Sequence, residues 1–210
     1  MRIVQLSLVL SGAALLLGAA SARATTIFDL TSDHCTGGCG TPPFGTVTLD
    51  QNGSNVDVTV HLNSPNSFVR TGAADFMAFK FNATGVAVGD ITVDQTAAPQ
   101  TLAAQTGALN GDGTGMFAFG IQCTTCANGA SGSFDADVVF HVADATIADL
   151  TAKNNLGITF VADIFSNGAL GGTGNTGPVD ATDPVPEPGT AALLALGLGG
   201  LARAGSRRRR

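Results

Sequence analysis

Apolar and polar residues alternate along two neighbouring segments, 45–50 and 55–62. Alternation at period two turns one face of a strand toward a core and the other toward water, so both segments are predicted to be strands. The residues between them include Asn52-Gly53, a dipeptide typical of tight hairpin turns. The sequence therefore predicts a β-hairpin over these residues.

Further short apolar or alternating segments are separated by clusters of Gly, Asn, Asp, Pro and Thr, without a long helical period between them. They predict strands at 74–81, 86–88, 91–93, 116–122, 133–142 and 157–165. Residues 143–150 fit one helical turn or a strand equally well. Short strands joined by such breaks predict an all-β fold, either an antiparallel β-sandwich or a jelly-roll-like domain.

The N-terminus has the organisation of an export signal. An almost wholly apolar run covers residues 3–20, and Ala22 and Ala24 then supply the small side chains that a signal peptidase accepts. The sequence therefore predicts a signal peptide over residues 1–24, with an apolar helix and cleavage before Thr25.

The C-terminus combines a proline-rich segment, an apolar stretch and a basic end. Proline fixes φ and removes a backbone donor, so the chain is expected to be extended before the apolar stretch at 189–202 begins. That stretch can form a helix, but it is shorter than the roughly 20 residues that cross a bilayer comfortably. Arginines at 203 and 207–210 resist translocation. We expect a helix that anchors the chain only transiently in the inner membrane.

This arrangement resembles the PEP-CTERM sorting tail of exported bacterial proteins. The resemblance covers residues 185–210 and rests on the apolar helix, the arginine cluster and the processing motif Val185, Pro186, Glu187, Pro188, Gly189 and Thr190. The family implies recognition by an exosortase, a membrane-embedded enzyme that removes the tail. It also implies delivery to the surface or extracellular matrix of a Gram-negative bacterium that makes exopolysaccharide.

The residues between the two terminal signals divide into two parts by composition. Residues 25–166 contain the predicted strands and are expected to form one passenger domain, a length sufficient for a single core. All twelve Phe of the chain lie there, and in the absence of Trp and Tyr they are the expected core residues. Residues 167–184 are rich in Gly and Pro and are predicted to be a flexible linker that gives a processing enzyme access.

The charge of the middle segment excludes one class of function. Residues 25–184 contain fifteen Asp, no Glu and only Arg70, Lys80 and Lys153 as basic residues, a net charge of −12. Nucleic-acid binding needs clustered Lys or Arg, so no nucleic-acid partner is expected. An acidic surface keeps an exported domain soluble by self-repulsion.

Four cysteines form two close pairs in Gly- and Thr-rich segments, Cys35 with Cys39 and Cys123 with Cys126. Export exposes them to an oxidising compartment, which favours disulfides over free thiols. Pairing within each unit is the favoured connectivity because near neighbours meet first, although bridges between the units would constrain the unfolded chain more strongly. A four-cysteine zinc site, or one that uses His34, is the remaining alternative.

Residues for catalysis are few. The passenger has no Glu, and its His34, His61 and His141 lie far apart in sequence. His61 and His141 lie within predicted strands and are expected to be hydrogen-bonded strand residues. Asp135 and Asp137 would share a strand face, which is more often a solvated surface than an acid–base pair. The sequence therefore predicts no catalytic residue, no cofactor and no enzyme activity.

Metal binding has one weak candidate. Residues 110–114 read Asn-Gly-Asp-Gly-Thr and place oxygens on a tight turn, but the terminal Glu of a helix-flanked calcium loop is missing. A plain β-turn is the favoured interpretation, and no metal residue is predicted.

These observations predict an exported protein that is anchored transiently in the membrane and then reaches the cell surface or the extracellular space. A structural or adhesive role in an exopolysaccharide or biofilm matrix is expected. The alternative is a calcium- or glycan-binding secreted module. A secreted hydrolase or an ice-binding protein is less favoured, since Thr46-Val-Thr48 is too short a threonine array for ice.

Overall fold

The computed structural model describes residues 24–71, 76–94, 100–186 and 196–198. These residues form twelve strands, a short α-helix, α1 (Ile147–Leu150), and three short 3-10 helices, and residues 196–198 are also helical. The strands are β1 (Thr25–Leu30), β2 (Ser32–Asp33), β3 (Gly45–Asn52), β4 (Asn55–Leu62), β5 (Asn66–Phe68), β6 (Met77–Phe81), β7 (Ile91–Val93), β8 (Leu102–Asn110), β9 (Met116–Cys123), β10 (Val138–Val142), β11 (Phe160–Ser166) and β12 (Thr176–Ala181).

The strands form two antiparallel sheets. The five-stranded sheet has the order β1-β3-β4-β10-β7, and the seven-stranded sheet has the order β2-β12-β11-β6-β9-β8, with β5 paired to β11. Alternate residues of both sheets meet in one core, where Phe28 contacts Phe160 with ring centroids 4.9 Å apart and Phe79 contacts Phe140 at 6.1 Å. The structure is thus mostly β and antiparallel, consistent with the predicted all-β sandwich.

Several predicted strands occur with altered bounds, and one does not occur. The hairpin at 45–62 is present as β3 and β4, and residues 147–150 form the helical turn. Residues 86–88 are not a strand, because Val88 begins a short 3-10 helix whose Asp90 carboxylate accepts the backbone N–H of Ala87 at 2.8 Å. Of the predicted strand at 133–142, only the second half forms β10.

The prediction of a flexible linker over residues 167–184 is wrong for its second half, which contains β12. This strand lies between β11 and β2, and Val179 and Ala181 are buried in the main core. Gly177 is required by close approach, since a Cβ there would lie 2.7 Å from the Cα of Cys35. The folded domain therefore extends to Ala181.

Two ends of the sandwich can be distinguished. At the tail end, β1 begins and β12 finishes, so Thr25 and Thr182 both lie there. At the loop end, β4 finishes in one sheet and β9 and β11 finish in the other. The chain after β2 joins them there, since Thr41, Asn63 and Ser166 line one cavity. The predicted signal helix lies outside the described residues. Of the predicted apolar helix at 189–202, only residues 196–198 are described, and they are helical.

Candidate functional site

The residues that connect β12 to the C-terminal tail are held against the sandwich at the tail end. The Thr159 hydroxyl donates to the carbonyl of Thr182 at 2.8 Å. Three residues further on, the backbone N–H of Val185 donates to the carbonyl of Ile27 on β1 at 2.7 Å. The tail therefore leaves the domain along the free edge of β1.

An ion pair adds to this attachment. Lys153 Nζ lies 2.7 Å from Asp183 Oδ1, and hydrogen bonding and attraction from the ammonium group lower the pKa of Asp183 below its ordinary 3.8. A carboxyl with a lowered pKa contributes stability above its ordinary pKa and loses it as the pH falls further. The pair is therefore intact at neutral pH, although such an exposed pair is weak.

The structure places part of the predicted processing residues. Val185 is 39% exposed, and Pro186 is also exposed. Glu187, Pro188, Gly189 and Thr190 lie outside the described residues. The tail thus becomes accessible immediately after its last backbone contact with β1.

The predicted signal-peptidase site lies at the same end. Ala24 accepts a hydrogen bond from the backbone of Gln51 at 2.9 Å, and the Thr25 hydroxyl donates to the Asp50 carboxylate. Ala22 lies outside the described residues. Both predicted processing positions therefore adjoin β1 at the tail end.

None of the helices in the described ranges has the length and apolar character needed to span a bilayer.

The cysteines form two local disulfides at the loop end, Cys35–Cys39 and Cys123–Cys126, the pairing favoured from the sequence. In the first loop, the Asp33 carboxylate accepts the backbone N–H groups of Cys35 and Cys39 at 2.8 and 2.7 Å. Asp33, Cys35 and Cys39 are also the one group in the described part of the chain with metal-ligand spacing. Their sulfurs are bonded to each other, so the zinc alternative is wrong.

Removing the second disulfide by Cys123→Ser together with Cys126→Ser is expected to lower the free energy of unfolding by about 2 kcal/mol, because the closed loop is short. Urea denaturation of the purified protein measures the change. A loss as large as that for a long-range bridge, about 4–5 kcal/mol, would contradict this local account.

A cleft with both polar and apolar walls occupies the loop end. Two adjoining cavities of about 320 and 270 Å³ share Ser64, Pro65 and Asn66 on their walls. Asn66 is 9% exposed; its amide nitrogen donates to the Phe44 carbonyl at 3.3 Å, while its Oδ1 has no hydrogen-bond partner. Hydroxyl and amide side chains contribute to the remaining walls of the second cavity, through Thr41, Asn63, Ser166 and Thr173. The cleft can therefore accept a hydroxylated ligand.

A histidine and two carboxylates lie at the first cavity. His61 and Asp135 line it, and Asp137 Oδ1 is 2.7 Å from His61 Nδ1. Asp135 and Asp137 precede β10, so they are not on the strand face that the sequence predicted. Sequence reasoning missed this juxtaposition because His61 lies 76 residues from Asp137.

Each histidine is paired with an aspartate, as the sequence interpretation expected for His61 and His141. His34 Nε2 lies 2.6 Å from buried Asp180, and His141 Nδ1 lies 2.8 Å from Asp94. These two pairs and the His61 pair lie on different strand pairs. They do not form one joint site.

The calcium candidate is a turn between β8 and β9. The Asn110 side chain accepts the N–H of Asp112 at 3.0 Å, and the Thr114 hydroxyl donates to the Gly111 carbonyl at 2.6 Å. These oxygens satisfy the turn's own backbone, which supports the plain β-turn interpretation.

Comparison with known proteins gives one finding, and it concerns the tail. A family model described as the PEP-CTERM protein-sorting motif matches residues 184–210. No curated protein and no solved structure matches the chain. On the evidence of this match, the molecule is an exported protein that carries a C-terminal PEP-CTERM sorting motif for exosortase, on a passenger domain of no recognised family.

Proposed function

We propose that the passenger domain is a structural or adhesive component of an extracellular polysaccharide matrix, presented by its loop end. The observation that carries this proposal is the opposition of the two ends. The sorting tail leaves the folded domain at the tail end, whereas the cleft lies at the loop end. A tail that enters the membrane from one end leaves the cleft at the opposite end of the domain, available to the matrix.

The composition of the cleft supports a carbohydrate as its ligand class. Its hydroxyl and amide groups can hydrogen-bond sugar hydroxyls, and Pro65 and Leu170 offer apolar surface against the faces of a ring. Leu170 is 62% exposed beside the first cavity. The two cavities lie near the lower limit for small-ligand sites, which are about 300–1,000 Å³, so one or two sugar units suit the site.

A matched pair of exposed leucines tests this proposal. Leu170→Asp at the loop end is expected to weaken binding to the host's own exopolysaccharide about tenfold, or about 1.4 kcal/mol. Leu156→Asp at the tail end, where Leu156 is 57% exposed, is expected to leave binding unchanged. Sedimentation with the purified polysaccharide measures both. Absence of binding by the unmodified protein, or equal loss in both variants, would contradict the proposal.

A secreted hydrolase is the second candidate, because the cleft brings Asp135 beside His61 and Asp137 orients the His61 ring. A general base held by a carboxylate is a recurring catalytic arrangement. Within the described ranges, however, no hydrogen bond joins His61 to the neighbouring Ser64. Release of reducing sugar or ester product that disappears in His61→Gln would favour the hydrolase; its absence favours the non-enzymatic role.

A further inference from the structure

A buried lysine and a buried aspartate face each other across two strands of the seven-stranded sheet. Lys80 on β6 and Asp163 on β11 bring Nζ and Oδ2 to 2.9 Å, at a sequence separation of 83. The Lys80 side chain is 1% exposed and that of Asp163 is 0% exposed. Neither residue belongs to the tail junction or to the cleft.

The pair lies on the outer face of this sheet. Phe79 and Phe81, on either side of Lys80, point into the main core, so Lys80 points the other way. Val161 pairs directly with Lys80 in the β6–β11 register and belongs to a second apolar cluster. The members of that cluster are Met77, Leu109, Phe117, Ile158 and Val161.

A glycine helps to close this face against water. Gly120 on β9 pairs with Lys80, and a Cβ at Gly120 would lie 2.7 Å from Met77 Cγ. Met77 therefore occupies the space above Gly120 and covers the sheet beside the lysine. A glycine at this position gives up strand stability for close packing.

Burial of this ionised pair is energetically unfavourable. Removing an ammonium and a carboxylate from water costs several kcal/mol per ion, and their attraction often fails to offset that cost. Transfer of one proton along the Nζ–Oδ2 hydrogen bond gives a neutral amine and a carboxylic acid. The amine is then a nucleophile held beside a carboxyl carbon, and fixed proximity of this kind strongly accelerates bond formation.

We propose that Lys80 and Asp163 condense to an intramolecular isopeptide bond that links β6 to β11. The Nζ lone pair attacks Asp163 Cγ and forms the C–N bond, and the bond from Cγ to the protonated oxygen breaks. That oxygen leaves with two protons that began on Nζ, as one water. The ammonium and carboxylate thus become a neutral amide and water, and no oxidant or other reactant is needed.

The chain contains a second lysine–aspartate pair with the opposite surroundings. Lys153 Nζ and Asp183 Oδ1 are as close, at 2.7 Å, but their side chains are 46% and 74% exposed. Water stabilises the ions there, and liquid water opposes a condensation that releases water. The isopeptide bond is therefore assigned to the buried pair alone, and Lys153 provides the internal control.

The protein is expressed from its full-length gene and purified after export. Digestion and mass measurement of this protein test the bond. After reduction and denaturation, a lysine-specific protease is expected to cut fully after Lys153 but not after Lys80. The fragment that contains Lys80 should be joined to the one that contains Asp163, and their combined mass should be lower by that of one water. Asp163→Ala should restore both the cut after Lys80 and the missing mass, whereas Lys153→Ala should leave the link intact.

Equal cutting after both lysines in the unmodified protein, without the mass deficit, would overturn the proposal. This comparison uses denatured protein, so it stands even where Asp163→Ala fails to fold. The result is independent of the proposed matrix role, because neither Lys80 nor Asp163 lines the loop-end cleft in which polysaccharide binding is measured.

Discussion

Phe79→Ala is expected to lower the free energy of unfolding by about 3–5 kcal/mol, the usual range for truncating a buried phenylalanine. Phe79 is fully buried, and its ring lies 5.9 Å from Phe81, 6.1 Å from Phe140 and 5.8 Å from Phe160 between centroids. These contacts join both sheets, so the cavity cannot be closed by moving a single side chain. Because a domain is stable by about 5–15 kcal/mol, the loss is a large part of the total.

Urea denaturation followed by circular dichroism measures this change. Phe165→Ala is the matched control, since Phe165 lies on β11 but is only partly buried, and a clearly smaller loss is expected there. Equal losses in the two variants would show that the stacked rings around Phe79 do not form the centre of the core.

Deletion of residues 186–210 is expected to abolish delivery to the cell surface while leaving the folded domain almost unchanged. The deletion removes nearly all of the matched sorting motif, 184–210, but retains Ala181, which ends β12, and Val185, which bonds to β1. Melting of the purified protein should therefore match that of the full chain. The amount in the surface fraction should fall to the level seen in a host without exosortase.

Immunodetection in cell-surface, membrane and medium fractions checks this expectation. The Leu156→Asp variant, altered at an exposed position outside both the cleft and the tail, should be delivered normally and serves as the control. Surface delivery of the truncated chain at the level of the full chain would show that the motif is dispensable, and would remove the basis of the matrix proposal.

The elements that could be predicted from the sequence are those whose burial pattern is local. Along most of β3 and β4, buried residues alternate with partly buried or exposed ones, so the hydrophobic pattern alone defines both strands and their turn. The two disulfides were also predictable in position, because their cysteines are neighbours in the chain. The Phe residues predicted for the core are mostly buried there, including Phe79 and Phe160.

Two strands that were not predicted, β8 and β12, form because neighbouring strands pair with them. In β8, small and polar residues predominate and most are partly or fully exposed, so its pairing with β9 has no hydrophobic signature in the sequence. In β12, Gly177 and Pro178 lower the apparent strand propensity, yet the segment forms a strand because it pairs with β11 on one side and β2 on the other. Tertiary context outweighs local preference in both cases.

The cleft could not be predicted because distant segments form it. Its walls come from the chain after β1, after β4, before β10 and after β11, and no local motif joins them. The Lys80–Asp163 pair is hidden for the same reason. A lone lysine in an apolar strand indicates that a buried ammonium group needs a partner of opposite charge. Only the register of β6 with β11 identifies that partner.

The neighbouring positions of Ala24 and Val185 on either side of β1 limit how such domains can be joined together. A module whose entry and exit points lie at the same end does not add its own length to a tandem array, because the polypeptide enters and leaves at one end of every unit. The geometry suits a single domain that is attached through its tail end. The same adjacency makes the fold a natural candidate for circular permutation, with a short peptide closing the old ends and new ends opened at Gly53 in the exposed hairpin turn.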